Sequence, residues 1–267
     1  MFARKRTWIG FGAMIVVDAL ILTLFHSKDA PERLAARLGS LGLLFDSYFG
    51  GLTLGLLLTA TTTFFLGSLY LALVSGDVIA KESEDGNLRM VLCRPVSRLK
   101  LLASKFVAVY LYTIGFFIFI GAISYVGASL LYGWGDGLVV IVPTLELTAF
   151  SFEEGLCRYG LGILALGLGM TVVSSIGFLL SCLKMKPAAA TILTISIIFI
   201  DFIARRFPYV EEYEKYFLTT QIDAWQLCFR YHIPWPQLLE SYALLFGVSV
   251  SCFVLGWLSF ERRDLKA

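Results

Sequence analysis

Residues 52–75, LTLGLLLTATTTFFLGSLYLALVS, run without one charged side chain. Residues 76–105, GDVIAKESEDGNLRMVLCRPVSRLKLLASK, are dense in charge and punctuated by Gly86 and Pro95. From Leu101 to Tyr132 the chain is apolar again, Lys105 apart. A hydrocarbon core about 30 Å thick is crossed by about 20 apolar helical residues, so each flanking run is long enough to span it. Backbone groups in lipid must be paired within the structure, which selects helices, and the alternation of a membrane barrel is missing. The pattern predicts two membrane helices joined by a polar segment on one face.

Four more runs have the same character: Trp8–Phe25, Tyr159–Leu183, Pro187–Ala204 and Leu238–Phe260. The chain is 58% hydrophobic and 16% charged, with a mean hydropathy of +0.78. Soluble domains are about 45–50% apolar and about 25% charged. These figures exclude a soluble enzyme and a disordered tail, and they argue against a nucleic-acid binder. The first run is not a signal peptide, because it lacks a small-residue cleavage site and carries Asp18 in its middle. The expected fold class is an all-α polytopic membrane protein, one transmembrane domain of six helices over residues 1–267.

Basic residues set the orientation. Fourteen of the 22 Lys and Arg lie in the N-terminus (Arg4, Lys5, Arg6), after the second run (Lys81, Arg89, Arg94, Arg98, Lys100, Lys105), at Lys184 and Lys186, and in the tail (Arg262, Arg263, Lys266). Six spans put all of these on one face, which the positive-inside rule makes cytoplasmic, with both termini inside the cell membrane. Residues 205–237 then form an external loop rich in Tyr, Phe and Trp, residues that favour the membrane–water boundary. Its acidic cluster, Glu211, Glu212 and Glu214, must face water. Prolines fall between spans (Pro95, Pro143, Pro208, Pro234, Pro236) or at a helix start (Pro187).

Small residues recur at every fourth position of the second run: Gly51, Gly55, Thr59, Thr63 and Gly67. A shorter row, Gly167, Thr171 and Ser175, lies in the fourth. Such rows let helices approach closely. The longer one fits a subunit interface, a polar path or packing within the chain. Asp18 alone is ionisable near the middle of a span, and such residues default to functional hypotheses. Two readings of it stay open: it lines a polar path, or it is a neutral or hydrogen-bonded structural group. Asp201 stands four residues before Arg205, the spacing of a surface ion pair.

Catalytic and ligand constellations do not appear. His26 and His232 are far apart in the sequence, and Cys93, Cys157, Cys182, Cys228 and Cys252 show no CxxC spacing. Only Cys157 and Cys228 share the outer side, so they alone are placed for a disulfide; free, buried cysteines are the expectation. No GxxxxGK[ST] phosphate loop occurs. No metal or cofactor is expected, and ATP, if used, is bound by another polypeptide.

The charged segment itself reads as a device. The second span continues as a polar helix through Asp77, Lys81 and Glu84, and Gly86 ends it. A short helix over Asn87–Cys93 then presents Leu88, Val91 and Leu92 on one face, Pro95 stops it, and Ser97 caps the third span. An amphipathic helix held between two membrane helices suits a groove on a soluble partner.

The order of Glu82, Gly86, Leu88, Val91–Leu92, Pro95-Val96-Ser97-Arg98 and Lys105 resembles the signature of type-2 ABC transporter permeases. The six-span layout, the enlarged last external loop and the ending FERRDL (Phe260–Leu265) extend the resemblance more weakly. It implies the type-2 exporter permease fold and a dimer with a second copy or a paralogue, each docked on a cytosolic ATPase subunit. Segment 76–100 would be the cytoplasmic coupling segment. Glu82, Gly86, Leu88, Arg89, Val91, Leu92, Arg94, Pro95 and Arg98 would contact or position the ATPase, which hydrolyses ATP while this chain is no enzyme. The family's amphipathic elbow helix has only Met1–Thr7 before the first run. Either the chain starts late, or this stub and part of the run stand in for the elbow.

Two other classes compete with the exporter. A proton- or ion-coupled secondary transporter would need several facing intramembrane acids or broken helices, and only Asp18 qualifies. A membrane scaffold that transmits work from an ATPase without moving solute needs no further residues. Nothing in the spans names a substrate.

Overall fold

A computed structural model describes residues 5–25, 50–86, 97–140 and 148–262. Helix α1 covers Lys5–Phe25, α2 Gly51–Thr62, α3 Ser68–Glu84, α4 Arg98–Tyr132, α5 Phe152–Cys182, α6 Pro187–Ala204, α7 Leu218–Ile222 and α8 Trp235–Glu261. A two-stranded antiparallel hairpin, β1 (Gly137–Val140) and β2 (Thr148–Ser151), and 3-10 turns at Pro208–Tyr216 and Asp223–Phe229 complete the described chain. Among the described residues, five helical segments are long and apolar enough to cross a membrane: Gly51–Glu84, α4, α5, α6 and α8. In α1 the apolar stretch is shorter, Ile9–Leu24. Val16 and Leu20, Ile192 and Ile200, and Leu239 and Phe246 stand on exposed faces of α1, α6 and α8. Apolar surface so placed is a liability in water and is satisfied by lipid. The protein is a helical, polytopic membrane protein.

Helices end where local chemistry predicts. Pro187 occupies the first turn of α6, where a missing N–H costs nothing. The polar continuation of the second span is real: α3 runs to Glu84, and Gly86 follows with φ +73°, a conformation that favours glycine. Ser97 Oγ accepts the N–H of Lys100 at 3.3 Å and caps α4. Pro236, expected between spans, lies instead in the first turn of α8. A π-helical turn, Thr63–Gly67, separates α2 from α3. Just before it, Thr61 Oγ1 donates to the Leu57 carbonyl (2.9 Å) and Thr62 Oγ1 to that of Leu58 (2.8 Å). Threonine hydroxyls that compete for these acceptors loosen the helical ladder.

The described chain forms two compact units. The first is built from the described parts of Met1–Leu66, Phe116–Ala165 and Gln226–Pro234. Leu22, Leu54, Leu58 and Ala128 form a buried cluster between α1, α2 and α4, flanked by Ile21 and Tyr132. Phe11 sets its ring edge-on to Phe116 (5.2 Å) and Phe119 (4.7 Å). The hairpin pairs Leu138 with Phe150 and sits against the start of α2, where the N–H of Val139 donates to Thr53 Oγ1 at 3.0 Å. Arg158 binds the remaining segment. It donates to the carbonyls of Cys228 (3.0 Å), Arg230 (2.6 Å) and Tyr231 (3.0 Å), pairs with Glu154 at 2.8 Å, and lies over the Phe150 ring.

The second unit takes the described parts of Gly67–Gly115, Leu166–Trp225 and Trp235–Ala267. Its core is Val78, Ile79, Leu102, Val109, Phe178, Cys182 and Phe260, with Phe106, Phe253 and Trp257 packed against it. Phe106 meets Phe178 at 5.2 Å and Phe253 at 5.0 Å between ring centroids. Much of the expected aromatic loop is ordered as short helical turns, and its last residues already belong to α8. The expected Asp201–Arg205 pair does not form. Asp201 accepts the N–H groups of Leu218 (3.1 Å) and Thr219 (2.7 Å) and the Thr219 hydroxyl (2.7 Å), which caps α7. Arg205 pairs with Asp223 at 2.7 Å. Two backbone donors and a hydroxyl are a better use of a half-buried carboxylate than one exposed ion pair.

Candidate functional site

The flanks of the charged segment are fixed within the second unit. Glu82, near the end of α3, forms an ion pair with Lys105 of α4, and Lys105 Nζ also donates to the Val78 carbonyl at 3.4 Å. Both side chains are mostly shielded, 17% exposed for Lys105 and 21% for Glu82, so water weakens the pair less than at an open surface. Arg98, at the first turn of α4, donates to the carbonyls of Glu261 (3.0 Å) and Phe260 (3.5 Å). Those carbonyls close α8, where helix ends lack internal donors and carry partial negative charge. Glu82 is thus tied to α4 and Arg98 to the end of α8, while Gly86 follows α3 in its left-handed turn. Leu88, Arg89, Val91, Leu92, Arg94 and Pro95 lie outside the described residues.

A second feature of this unit escaped the sequence reading. Ser181 of α5 accepts the N–H groups of Ile79 (2.8 Å) and Ala80 (2.9 Å) on α3. Beside it, a Cβ on Gly177 would fall 2.0 Å from Ser75 Oγ, and one on Gly76 would fall 3.2 Å from the Thr191 nitrogen of α6. Small residues therefore grip α3 between α5 and α6. A four-residue period misses them, because Ser75 and Gly76 are adjacent and their partners lie on different helices. In α5, Thr171 and Ser175 are buried and bond back to Leu168 (2.5 Å) and Thr171 (2.8 Å), while Ser174 meets the Thr113 hydroxyl of α4 at 2.7 Å.

In the first unit, polar groups converge on Asp18. Its carboxylate is buried, 3% exposed. Ser124 of α4 donates to Oδ2 at 2.7 Å, and Oδ1 has no hydrogen-bond partner among the described residues. Tyr159 of α5 donates to the Gly121 carbonyl at 2.7 Å, and its oxygen lies 3.4 Å from Thr59 Oγ1. The upper part of the small-residue row packs here: Gly51 against Ser129, Gly55 against Tyr125 and Tyr159, and Thr59 against Tyr159. Thr63 is buried, its hydroxyl without a partner among the described residues, and Gly67 closes the π turn. Ser124 and Tyr159 carried no sequence signal, since single hydroxyls are common in membrane helices.

Outside the spans, burial pushes the Cys228 thiol up to about 11 despite the nearby Arg158 charge. Burial likewise holds the Asp223 carboxyl above the usual carboxylate range, opposed by Arg205. Cys157 and Cys228 are both free, Cys157 exposed and Cys228 buried.

A family model described as "Protein of unknown function (DUF2705)" matches residues 42–266. No curated protein matches the chain.

Proposed function

The chain belongs to the DUF2705 family, and we propose that it is the membrane-spanning permease subunit of an ATP-driven exporter. In this reading six helices cross the cell membrane, both termini are cytoplasmic, and a separate ABC ATPase binds and hydrolyses ATP. Two permease copies, or this chain and a paralogue, work as a dimer. The observation that carries the reading is the punctuated segment between Glu82 and Lys105. Its sequence sets Leu88, Val91 and Leu92 at the spacing of one helical face within a positively charged stretch, between two long apolar helices. The Glu82–Lys105 pair and the Arg98 contacts support it, because a segment that receives force needs rigid attachment at both ends. ATP-driven closure of the ATPase dimer would push on the segment and rock the spans between inward- and outward-open states.

The test is co-purification of the full chain with a P-loop ATPase from its native membrane. Leu88→Glu or Val91→Glu places a charge on the docking face and should abolish capture while the chain stays folded in the membrane. A chain that captures no ATPase, and whose activity follows a proton gradient, would overturn the proposal.

A further inference from the structure

We propose that Asp18 is a proton-binding site of the first unit: it is neutral in the arrangement described above, and loss of its proton separates α1 from Ser124 of α4. The inference does not depend on the exporter reading. Asp18 lies inside the apolar stretch Ile9–Leu24, with buried Met14 and Leu22 on the same helix. Among the described residues its one hydrogen bond comes from a neutral hydroxyl, Ser124, itself fully buried. Oδ1 is buried, and no described residue donates to it. A buried carboxylate persists as an anion when a cation or several donors meet it. Here neither is provided. Among the described residues no Lys or Arg pairs with Asp18, and the titratable groups facing it are phenols: Tyr159 of α5, with Tyr125 of α4 beside it. Neither phenol brings a positive charge, and the Tyr159 hydroxyl is committed to the Gly121 carbonyl.

The proton therefore sits on Oδ1, the oxygen without a donor, while Oδ2 accepts from Ser124. When that O–H bond breaks, the proton passes to solvent water and the electron pair stays on the carboxylate. The resulting anion needs water or a cation, and α1 must part from α4 to admit either. The ligand is a proton, and the moving element is the α1–α4 contact, beside the buried cluster of Leu22, Leu54, Leu58 and Ala128.

Infrared spectroscopy of the purified full chain in lipid tests the first half. At neutral pH it should contain the carbonyl band of a protonated carboxylic acid, shifted by carbon-13 aspartate labelling, absent in Asp18→Asn and fading as pH rises. For the second half, Ala128→Cys places a reporter thiol on the buried face of α4. Over the pH range in which the band fades, its maleimide labelling should become several-fold faster than in Asp18→Asn/Ala128→Cys. Comparing the two backgrounds removes the ordinary rise of thiol reactivity with pH. If the aspartate-labelled protein has no acid band at neutral pH, or both backgrounds label at the same ratio throughout, the proposal is wrong.

Discussion

At the scale of residues, a single charge decides which partner a group takes, and burial decides whether that charge survives. Arg158 satisfies three carbonyls of the 226–234 segment at once, so the fork of its guanidinium matters as much as its charge. Cys228 lies under this arrangement, 2% exposed, and burial outweighs the guanidinium in setting its acidity. With the thiol pushed up to about 11, only about one molecule in a thousand carries the reactive thiolate at pH 8. We expect maleimide in mild detergent to modify exposed Cys157 quickly and Cys228 only after unfolding or near pH 11. Equal rates for the two thiols in the folded protein, read by mass spectrometry of the peptides, would contradict this. Neither the acidity of Cys228 nor the true partner of Asp201 was legible in the sequence. The i,i+4 spacing to Arg205 is a local signal, whereas the cap on Leu218 and Thr219 exists only once the chain has turned back on itself.

At the scale of elements, the boundaries were legible and the joints were not. Pro187, Gly86 and Ser97 each act on their own turn, so their effects can be read from a few neighbouring residues. The hairpin went unseen because its Val-rich strand, Gly137–Val140, is short and looks like one more apolar stretch among spans. The grip of α5 and α6 on α3 was hidden for a different reason: it uses Ser75, Gly76, Gly177 and Ser181, residues about a hundred positions apart. In lipid such a joint cannot rely on the hydrophobic effect, and close packing with hydrogen bonds holds it. Gly177→Leu should therefore destabilise the folded chain by about 1–3 kcal/mol, since an added side chain must push Ser75 and its helix away. Ser181→Ala removes one acceptor shared by two N–H groups and should cost about 1–3 kcal/mol. Because both substitutions act on one joint, the double variant should lose less than the two single losses together. Thermal or denaturant unfolding in detergent measures all three, and full additivity would show that the contacts are independent.

At the scale of the whole molecule, charge is sorted by segment, and the sorting matters more than the net value of +2. The flanks of the charged stretch 76–105 are anchored on three helices. Glu82 of α3 holds Lys105 of α4, and Arg98 of α4 holds the end of α8. If the segment receives force from an ATPase, these contacts make the three helices respond together; without them the segment would bend and the spans would stay still. Glu82→Gln and Lys105→Met should each leave ATPase capture intact while lowering substrate movement per ATP hydrolysed. Stability should also fall, by more than the loss of an open surface pair costs, because both side chains are mostly shielded. The exchanged variant Glu82→Lys/Lys105→Glu restores opposite charges across the same gap and should recover part of the coupling. A stability defect alone would lower capture, hydrolysis and transport together and would not be relieved selectively by exchange. The decisive readout is therefore the ratio of transport to hydrolysis in proteoliposomes holding the intact complex. A ratio unchanged in both single variants would mean that the Glu82–Lys105 pair braces the fold without transmitting work.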